Sequence, residues 1–197
     1  RLVQVLMIMS ARTSWPTMTD KGWDVPADLG AIGQLRGPGE DSRGKLDRLV
    51  NMLRSRFGTE AIPKQRAMRR LMGAIREKKA VGILLDQNVD WYEGAFVDFF
   101  GRPACTNKGL ALVALKTGVP VVPIFSAKAR DGRYRVMIGK EVDLIRTGDK
   151  LRDVQENTAL FTNIIERHIR EHPEEYFWFH KRWKTKNYCP LPPGYFS

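Results

Sequence analysis

The sequence predicts an α/β fold, a layered, mixed or largely parallel sheet flanked by helices. Three observations carry that prediction. Short apolar runs bounded by polar or turn residues recur along the chain, segments with apolar residues at i, i+3, i+4 and i+7 lie between them, and the two kinds alternate. The chain has 197 residues, of which 43% are apolar and 28% charged, enough for one buried core with a solvated surface. Residues 1–197 are therefore expected to form a single domain, and global disorder is excluded.

Leu2–Met9 is an apolar run containing Val and Ile and stopping at Ser10, which reads as a buried strand. Residues 12–44 differ. They are rich in glycine, hold three prolines and show no apolar period, so no element is placed there. From Lys45 the pattern turns helical: Leu46, Leu49, Val50, Leu53 and Phe57 share one face, and Gly58 closes it. Thr59–Ile62 is a short strand candidate ended by Pro63. Arg66–Lys79 is a second helix with Met68, Leu71, Met72 and Ile75 inward. Ala80–Leu85 is continuously apolar and stops at Asp86, as a strand buried on both faces does.

Residues 87–94 read as a loop and Ala95–Phe100 as a strand. Asn107 is placed to cap a helix running through Leu110, Leu112, Val113 and Leu115 to Gly118. Val119–Phe125 is another apolar strand, and Tyr134–Ile138 alternates as a more exposed one. Leu151–Glu171 is the longest helix, with Val154, Leu160, Phe161, Ile164, Ile165 and Ile169 inward. There is no internal repeat and no low-complexity tract.

Composition narrows the functional classes. Thirty-three Lys and Arg against 22 Asp and Glu give a formal charge of +11 and a pI near 9.9. Such a surface attracts polyanions: nucleic acid, acidic lipid head groups or an acidic carrier protein. The charge is densest in Arg43–Lys79 and in His180–Lys186, where solvated helix faces are the plain structural alternative. No run of 18 apolar residues exists, so no membrane-spanning helix is predicted, and no cleavable signal follows Leu2–Met9. A chain beginning at Arg1 reads as an internal start, so an amino-terminal membrane anchor is expected to be absent. Cys105 and Cys189 are too few for a disulfide framework and suit a reducing compartment.

Candidate chemistry sits at strand ends, where open α/β sheets bind ligands. Asp86 and Gln87 follow one apolar strand, although an Asp there also caps loops. In Phe99–Gly109, Gly101 lets the backbone turn, while Arg102, Thr106 and free N–H groups before a helix suit a phosphate or oxyanion. His168, Glu171 and His172 spell H-x-x-E-H, a zinc peptidase pattern. Pro173 ends that helix at once, Arg167 and Arg170 crowd it, and no well-spaced third ligand stands out. Histidines favouring the carboxyl end of the helix dipole account for it better, and no metal site is assigned. No Ser/His/Asp triad assembles. The aromatic, basic tail Tyr176–Lys184 is compatible with base stacking. Strand-like alternation, with Tyr176, Trp178 and His180 on one face and Phe177 and Phe179 on the other, favours core packing with a basic rim.

Taken together, these segments resemble the bacterial lipid A biosynthesis acyltransferases, the lauroyl/myristoyl transferase family, within a glycerolipid-acyltransferase-like fold. The resemblance runs from about Leu46 to Lys186. It is carried by LDRLVNMLRSRFG (46–58), by Asp86-Gln87 after its strand, by AFVDFFGRPACTNKGLALVALKTGVPVVPIF (95–125) and by YFWFHKRWK (176–184). It implies a peripheral enzyme on the cytoplasmic face of the inner membrane. That enzyme moves a fatty acyl chain from acyl carrier protein to a hydroxyl of a lipid A precursor, an anionic glycolipid, with no metal or organic cofactor. It also implies that Asp86 and Gln87 shape the active-site floor, that Gly101, Arg102 and Thr106 line the acyl or phosphate site, and that His180 and Arg182 contact the anionic substrate. Arg36 echoes an arginine upstream of the first helix.

The sequence departs from the family at its base. The reaction needs a group to deprotonate the acceptor hydroxyl and an oxyanion stabiliser for the thioester carbonyl. The family supplies the base as His-x4-Asp/Glu after an early strand. Here the three histidines are followed, five positions on, by Pro173, Phe177 and Thr185, and after Leu2–Ala11 comes Arg12-Thr-Ser-Trp-Pro. No catalytic residue is therefore assigned, and activity is expected to be impaired. The spacing from that strand to Leu46 nevertheless matches the family. This suggests that residues 12 to about 44 are a frameshifted translation between in-frame flanks: Arg12-Thr13-Ser14 encoded CGC ACA TCN reads Ala-His one nucleotide later. The competing class is a non-catalytic polyanion binder, of RNA or anionic membrane. It accounts for the charge and leaves 95–125 unexplained, so no nucleic-acid partner is expected.

Overall fold

A computed structural model describes residues 5–9, 18–19, 22–23, 60, 62, 67–128, 133–174 and 176–187. Its strands are β1 (Val5–Met9), β2 (Met18–Thr19), β3 (Gly22–Trp23), β4 (Val81–Leu84), β5 (Gly94–Phe99), β6 (Arg102–Asn107), β7 (Val121–Lys128) and β8 (Tyr134–Ile138). Its helices are α1 (Ala67–Arg76), α2 (Gly109–Thr117) and α3 (Lys150–Glu171), with a 3-10 turn at Trp178–His180. The helix expected over 46–57 and the residue Arg36 lie outside the described residues. Of the strand candidate Thr59–Ile62, Glu60 and Ile62 are described and neither is in a strand, although Ile62 is buried. Within 12–44 the described residues form the short antiparallel pair β2–β3. No helix among the described residues is long and apolar enough to cross a membrane.

The main sheet has the order β4-β1-β7-β8. β1 lies between β4 and β7 and runs antiparallel to both, with Met7 opposite Ile83 and Leu6 opposite Ile124. β4 and β7 therefore run the same way without touching. This is what remains of the parallel character expected from strand–helix alternation: every ladder among the described residues is antiparallel. Two of these ladders are hairpins. β5 and β6 are joined across Phe100–Gly101, and β7 returns directly into the edge strand β8. The apolar runs of β4 and β7 are buried, while β8 is more open, with Val136 exposed.

The β5–β6 hairpin overturns the expectation of an open loop from Arg102 to the helix. Phe100 and Gly101 both have positive φ, 55° and 73°, the two-residue turn geometry that matches strand twist. The Gly101 N–H donates to Asp98 Oδ1 at 2.9 Å. Pro103 misled the sequence pattern, since proline is tolerated only where a strand needs no donor. α3 packs along β5 and is fastened at both ends of it. Gln155 Nε2 donates to the Phe96 carbonyl at 2.6 Å, and Glu166 Oε2 accepts from the Phe100 N–H at 2.7 Å.

α3 starts at an Asp149 cap, whose side chain accepts from the Leu151 and Arg152 amides at 2.9 and 3.2 Å. Its inner face carries Phe161, Ile165 and Ile169 as expected, interleaved with a buried polar stripe of Asp153, Asn157, Thr158 and Thr162. Asn157 clasps Ile145 from both sides, accepting from its N–H at 3.0 Å and donating to its carbonyl at 2.8 Å. α2 begins at Gly109, where Asn107 Oδ1 accepts the first amide at 2.7 Å, and ends at Gly118 with φ 69°. The core between helices and sheet holds Leu71, Val81, Leu85, Phe99, Leu110, Val113, Val121, Phe161 and Ile165. Fully burying each such side chain contributes about 1.5–3 kcal/mol.

Candidate functional site

Residues 176–185 strap across the β4–β5 connection and β6. Arg182 is 2% exposed; its Nη1 donates to the Cys105 carbonyl at 2.9 Å and its Nη2 to Thr106 Oγ1, and its guanidinium lies 5.0 Å over the Phe99 ring. Thr106, fully buried, also accepts from Thr162 Oγ1 on α3 at 3.5 Å. Tyr176 donates to the Asp86 carbonyl at 3.3 Å. Asn88 and Thr185 bond each other twice, at 2.9 and 3.1 Å, and the Thr185 hydroxyl donates to the Val89 carbonyl at 2.8 Å. Trp183 packs on Phe99 at 5.6 Å under the Arg102 guanidinium.

Burial sets the electrostatics. Desolvation pulls Arg182 below the ordinary arginine range, against the opposing pull of the Tyr176, Asp86 and Cys105 groups. Burial pushes the Tyr176 hydroxyl well up, the Asp86 carboxylate adding to it and Arg182 opposing it. Burial likewise raises the Cys105 thiol, whose S–H donates to the Asp90 carbonyl at 3.6 Å.

Beside this strap a cavity of about 820 Å³ opens at the carboxyl end of β4 and the amino end of α2. Ala67, Leu71, Ile83 and Leu112 give it apolar walls. Three ammonium groups, Lys108, Lys181 and Lys184, and two carboxylates, Asp90 and Glu93, stand around it with Gln87, Asn88 and Asn107. The Asn107–Gly109 segment presents the positive end of the α2 dipole to the same space.

The sequence-predicted residues fall into three groups. Gln87 lines the cavity. Asp86, Thr106 and Arg182 come together, but inside: they are 4%, 0% and 2% exposed, and the bonds of Thr106 and Arg182 run to each other, to Cys105 and to α3. Gly101 and Arg102 sit apart at the exposed hairpin tip. His180 lies in the 3-10 turn, and its side chain is outside the described part. The tail is not strand-like. Lys181, with φ 50°, turns it so that Arg182 and Trp183 reverse inward, while Phe177, Trp178 and Phe179 are 37%, 45% and 84% exposed. The sequence passed over Lys181, Lys184 and the Asn88–Thr185 pair; their only sign was position, within a basic tail and after a strand.

A second cluster lies at the far end of α3, where one ligand atom from each of His168, Glu171 and His172 falls within 4.8 Å of the others. The sequence offered no well-spaced third ligand; the structure places the glutamate of the motif itself beside the two histidines.

The fold and site define an α/β protein whose strapped tail sets lysines at the rim of a cavity lined by both apolar and polar side chains. Residues 39–185 match the family described as bacterial lipid A biosynthesis acyltransferase, and the chain belongs to that family. It is 27% identical over 121 residues to a lipid A biosynthesis palmitoleoyltransferase of Escherichia coli K12, covering 60% of this chain and 38% of that protein. A Haemophilus influenzae lipid A biosynthesis acyltransferase is 28% identical over 142 residues, 72% of this chain and 43% of that protein. An Escherichia coli lipid A biosynthesis lauroyltransferase is 26% identical over 119 residues, 59% of this chain and 37% of that protein. The matched stretch is under half the length of each relative.

Proposed function

We propose that the chain is one acyltransferase-like domain, of the glycerolipid-acyltransferase type, built to move a fatty acyl chain from acyl carrier protein to a hydroxyl of a lipid A precursor. The observation that carries this is the cavity. Its walls suit an acyl chain, and Lys108, Lys181 and Lys184 suit the phosphates of a glycolipid and the acidic surface of a carrier. Gln87 and Lys108 border the same space and are the substrate-facing groups. Asp86, Thr106 and Arg182 act as positioning residues: they hold the tail so that Lys181 and Lys184 stay at the rim. Arg102, Gly101 and His180 lie on the approach, where an anionic head group meets the hairpin and the 3-10 turn.

The chemistry requires a base at the acceptor hydroxyl, and the chain as written carries no His-x4-Asp/Glu. Binding of donor and acceptor is therefore retained and transfer impaired. A frameshift over 12–44 accounts for the loss, since family sequence resumes on its carboxyl side and the spacing from the Leu2–Ala11 strand to Leu46 suits the family. Translating the native gene in three frames tests it: a His-x4-Asp/Glu in an alternative frame is the expected result, and its absence from all frames removes the frameshift explanation.

The domain works at the cytoplasmic face of the inner membrane as a peripheral protein. The exposed Phe177, Trp178 and Phe179 beside Lys181 and Lys184 support this, since exposed aromatics next to lysines suit an anionic lipid interface. Non-catalytic binding of a polyanion, RNA or anionic membrane, is the second reading, favoured by the +11 charge alone. Acceptor binding separates them: an anionic glycolipid bound in competition with fatty acid supports the enzyme, and salt-sensitive RNA binding with no glycolipid binding supports the alternative.

A further inference from the structure

We propose that His168, Glu171 and His172 form a site for a divalent transition-metal ion such as zinc at the carboxyl end of α3. The site stands apart from the acyl-transfer cavity and does not depend on that assignment. His168 and Glu171 share the last turn of α3, His172 is the residue that caps it, and the structure brings one ligand atom from each within 4.8 Å of the others. Metal bonds of about 2.1 Å put tetrahedral donors roughly 3.4 Å apart. Small side-chain rotations of exposed Glu171 and half-buried His172 close the difference. Two imidazoles and a carboxylate are a donor set that suits zinc or cobalt(II), with a fourth position left for water.

A second, independent observation points to a ligand. His168 is 8% exposed, and its Nε2 is buried with no hydrogen-bond partner among the described residues. Buried polar nitrogens are normally satisfied, and a bound cation would satisfy this one. Phe125 stacks flat on the His168 ring, 3.9 Å between centroids and 15° between planes. That packs one face of the ring, and the His172 ring centroid is 5.0 Å away.

The surroundings permit a cation. Arg167 and Lys140 border the adjoining cavity of about 370 Å³, but Glu141 and Glu171 border it too. Arg170 is bonded to Glu166 and lies over the Phe100 ring, on another side of the helix. The end of a 22-residue helix adds partial negative charge.

The test uses untagged full chain stripped with a chelator and titrated with zinc against a chromophoric competitor, then with cobalt(II) followed by visible absorption. About one equivalent of zinc should bind, with the intense cobalt d–d bands of a four-coordinate site. His168→Ala would also remove packing on Phe125, so the comparison rests on the double variant Glu171→Gln/His172→Ala, with its helical content checked by circular dichroism. Its zinc affinity should fall at least about tenfold and the cobalt bands should disappear. No saturable site in the parent chain, or unchanged affinity in the folded double variant, overturns the proposal.

Discussion

At the scale of single residues, Arg182 decides how the tail is held. A guanidinium was needed because one planar fork must reach the Cys105 carbonyl and the Thr106 hydroxyl while lying flat over Phe99. Removing it leaves the buried Cys105 carbonyl and Thr106 hydroxyl without their charged donor. Arg182→Ala should therefore cost about 3 kcal/mol in urea unfolding, and Arg182→Lys should recover less than half of that. A loss under about 0.5 kcal/mol, the size of an ordinary surface change, would show that the strap does not depend on this residue. Asp153 gives a pH-dependent counterpart. Its carboxylate accepts from the Thr147 N–H at 2.6 Å and the Thr147 hydroxyl at 2.7 Å, and these bonds hold its pKa below 3.8. A depressed carboxylate stabilises the fold above its unfolded pKa and loses that contribution as pH falls through its folded value. Asp153→Asn should thus melt lower than the parent at neutral pH, the gap narrowing below pH 3.8. A constant gap across the titration would assign the effect to shape and not to charge.

At the scale of elements, the β5–β6 turn fixes where Arg102 and Thr106 lie on opposite ends of one strand. Gly101, at φ 73°, takes a conformation that a side chain resists, and Gly101→Val should cost about 1–2 kcal/mol and speed amide exchange in β5 and β6. Exchange unchanged in the hairpin would place the turn's strain elsewhere. Elements with one strong period were legible from the sequence: α3 was placed within a residue, α2 by its Gly118 stop, and β4 and β7 by continuous apolar runs. Three features were not, and each has a physical cause. Pro103 concealed β6, because an edge strand tolerates proline where a central one does not. The polar stripe of α3 has no apolar period: Asp153 and Asn157 are satisfied by the Ile145–Thr147 segment just before the helix, and Thr162 meets Thr106 far along the chain. The tail's alternation suggested a strand, whereas Pro173 and the left-handed Lys181 made a turn that exposes Phe179 and buries Arg182. Of the site, the sequence found Gln87 beside the cavity. It gave Asp86, Thr106 and Arg182 to the substrate, and their burial and their bonds to the tail and to α3 appear only in three dimensions.

At the scale of the molecule, charge and exposed aromatics act together. The chain carries +11, and Phe179 at 84% exposure lies in the segment that also holds Lys181 and Lys184. Phe179→Ser should leave stability within about 0.5 kcal/mol of the parent. It should weaken partition onto vesicles containing anionic lipid, as sedimentation reads it, and unchanged partition would move the membrane contact away from the 3-10 turn. The central claim, a lipid A acyltransferase domain complete in its binding cavity and lacking its base, is tested most directly by acyl transfer itself. Labelled acyl chains on acyl carrier protein are offered with a lipid A precursor to the parent chain and to a variant carrying His-x4-Glu after Ala11, made as Arg12→His with Thr17→Glu. Background transfer by the parent and thioester-dependent transfer by the variant is the predicted result. Transfer at full rate by the parent, or none by a folded variant that still binds the precursor, would contradict the account.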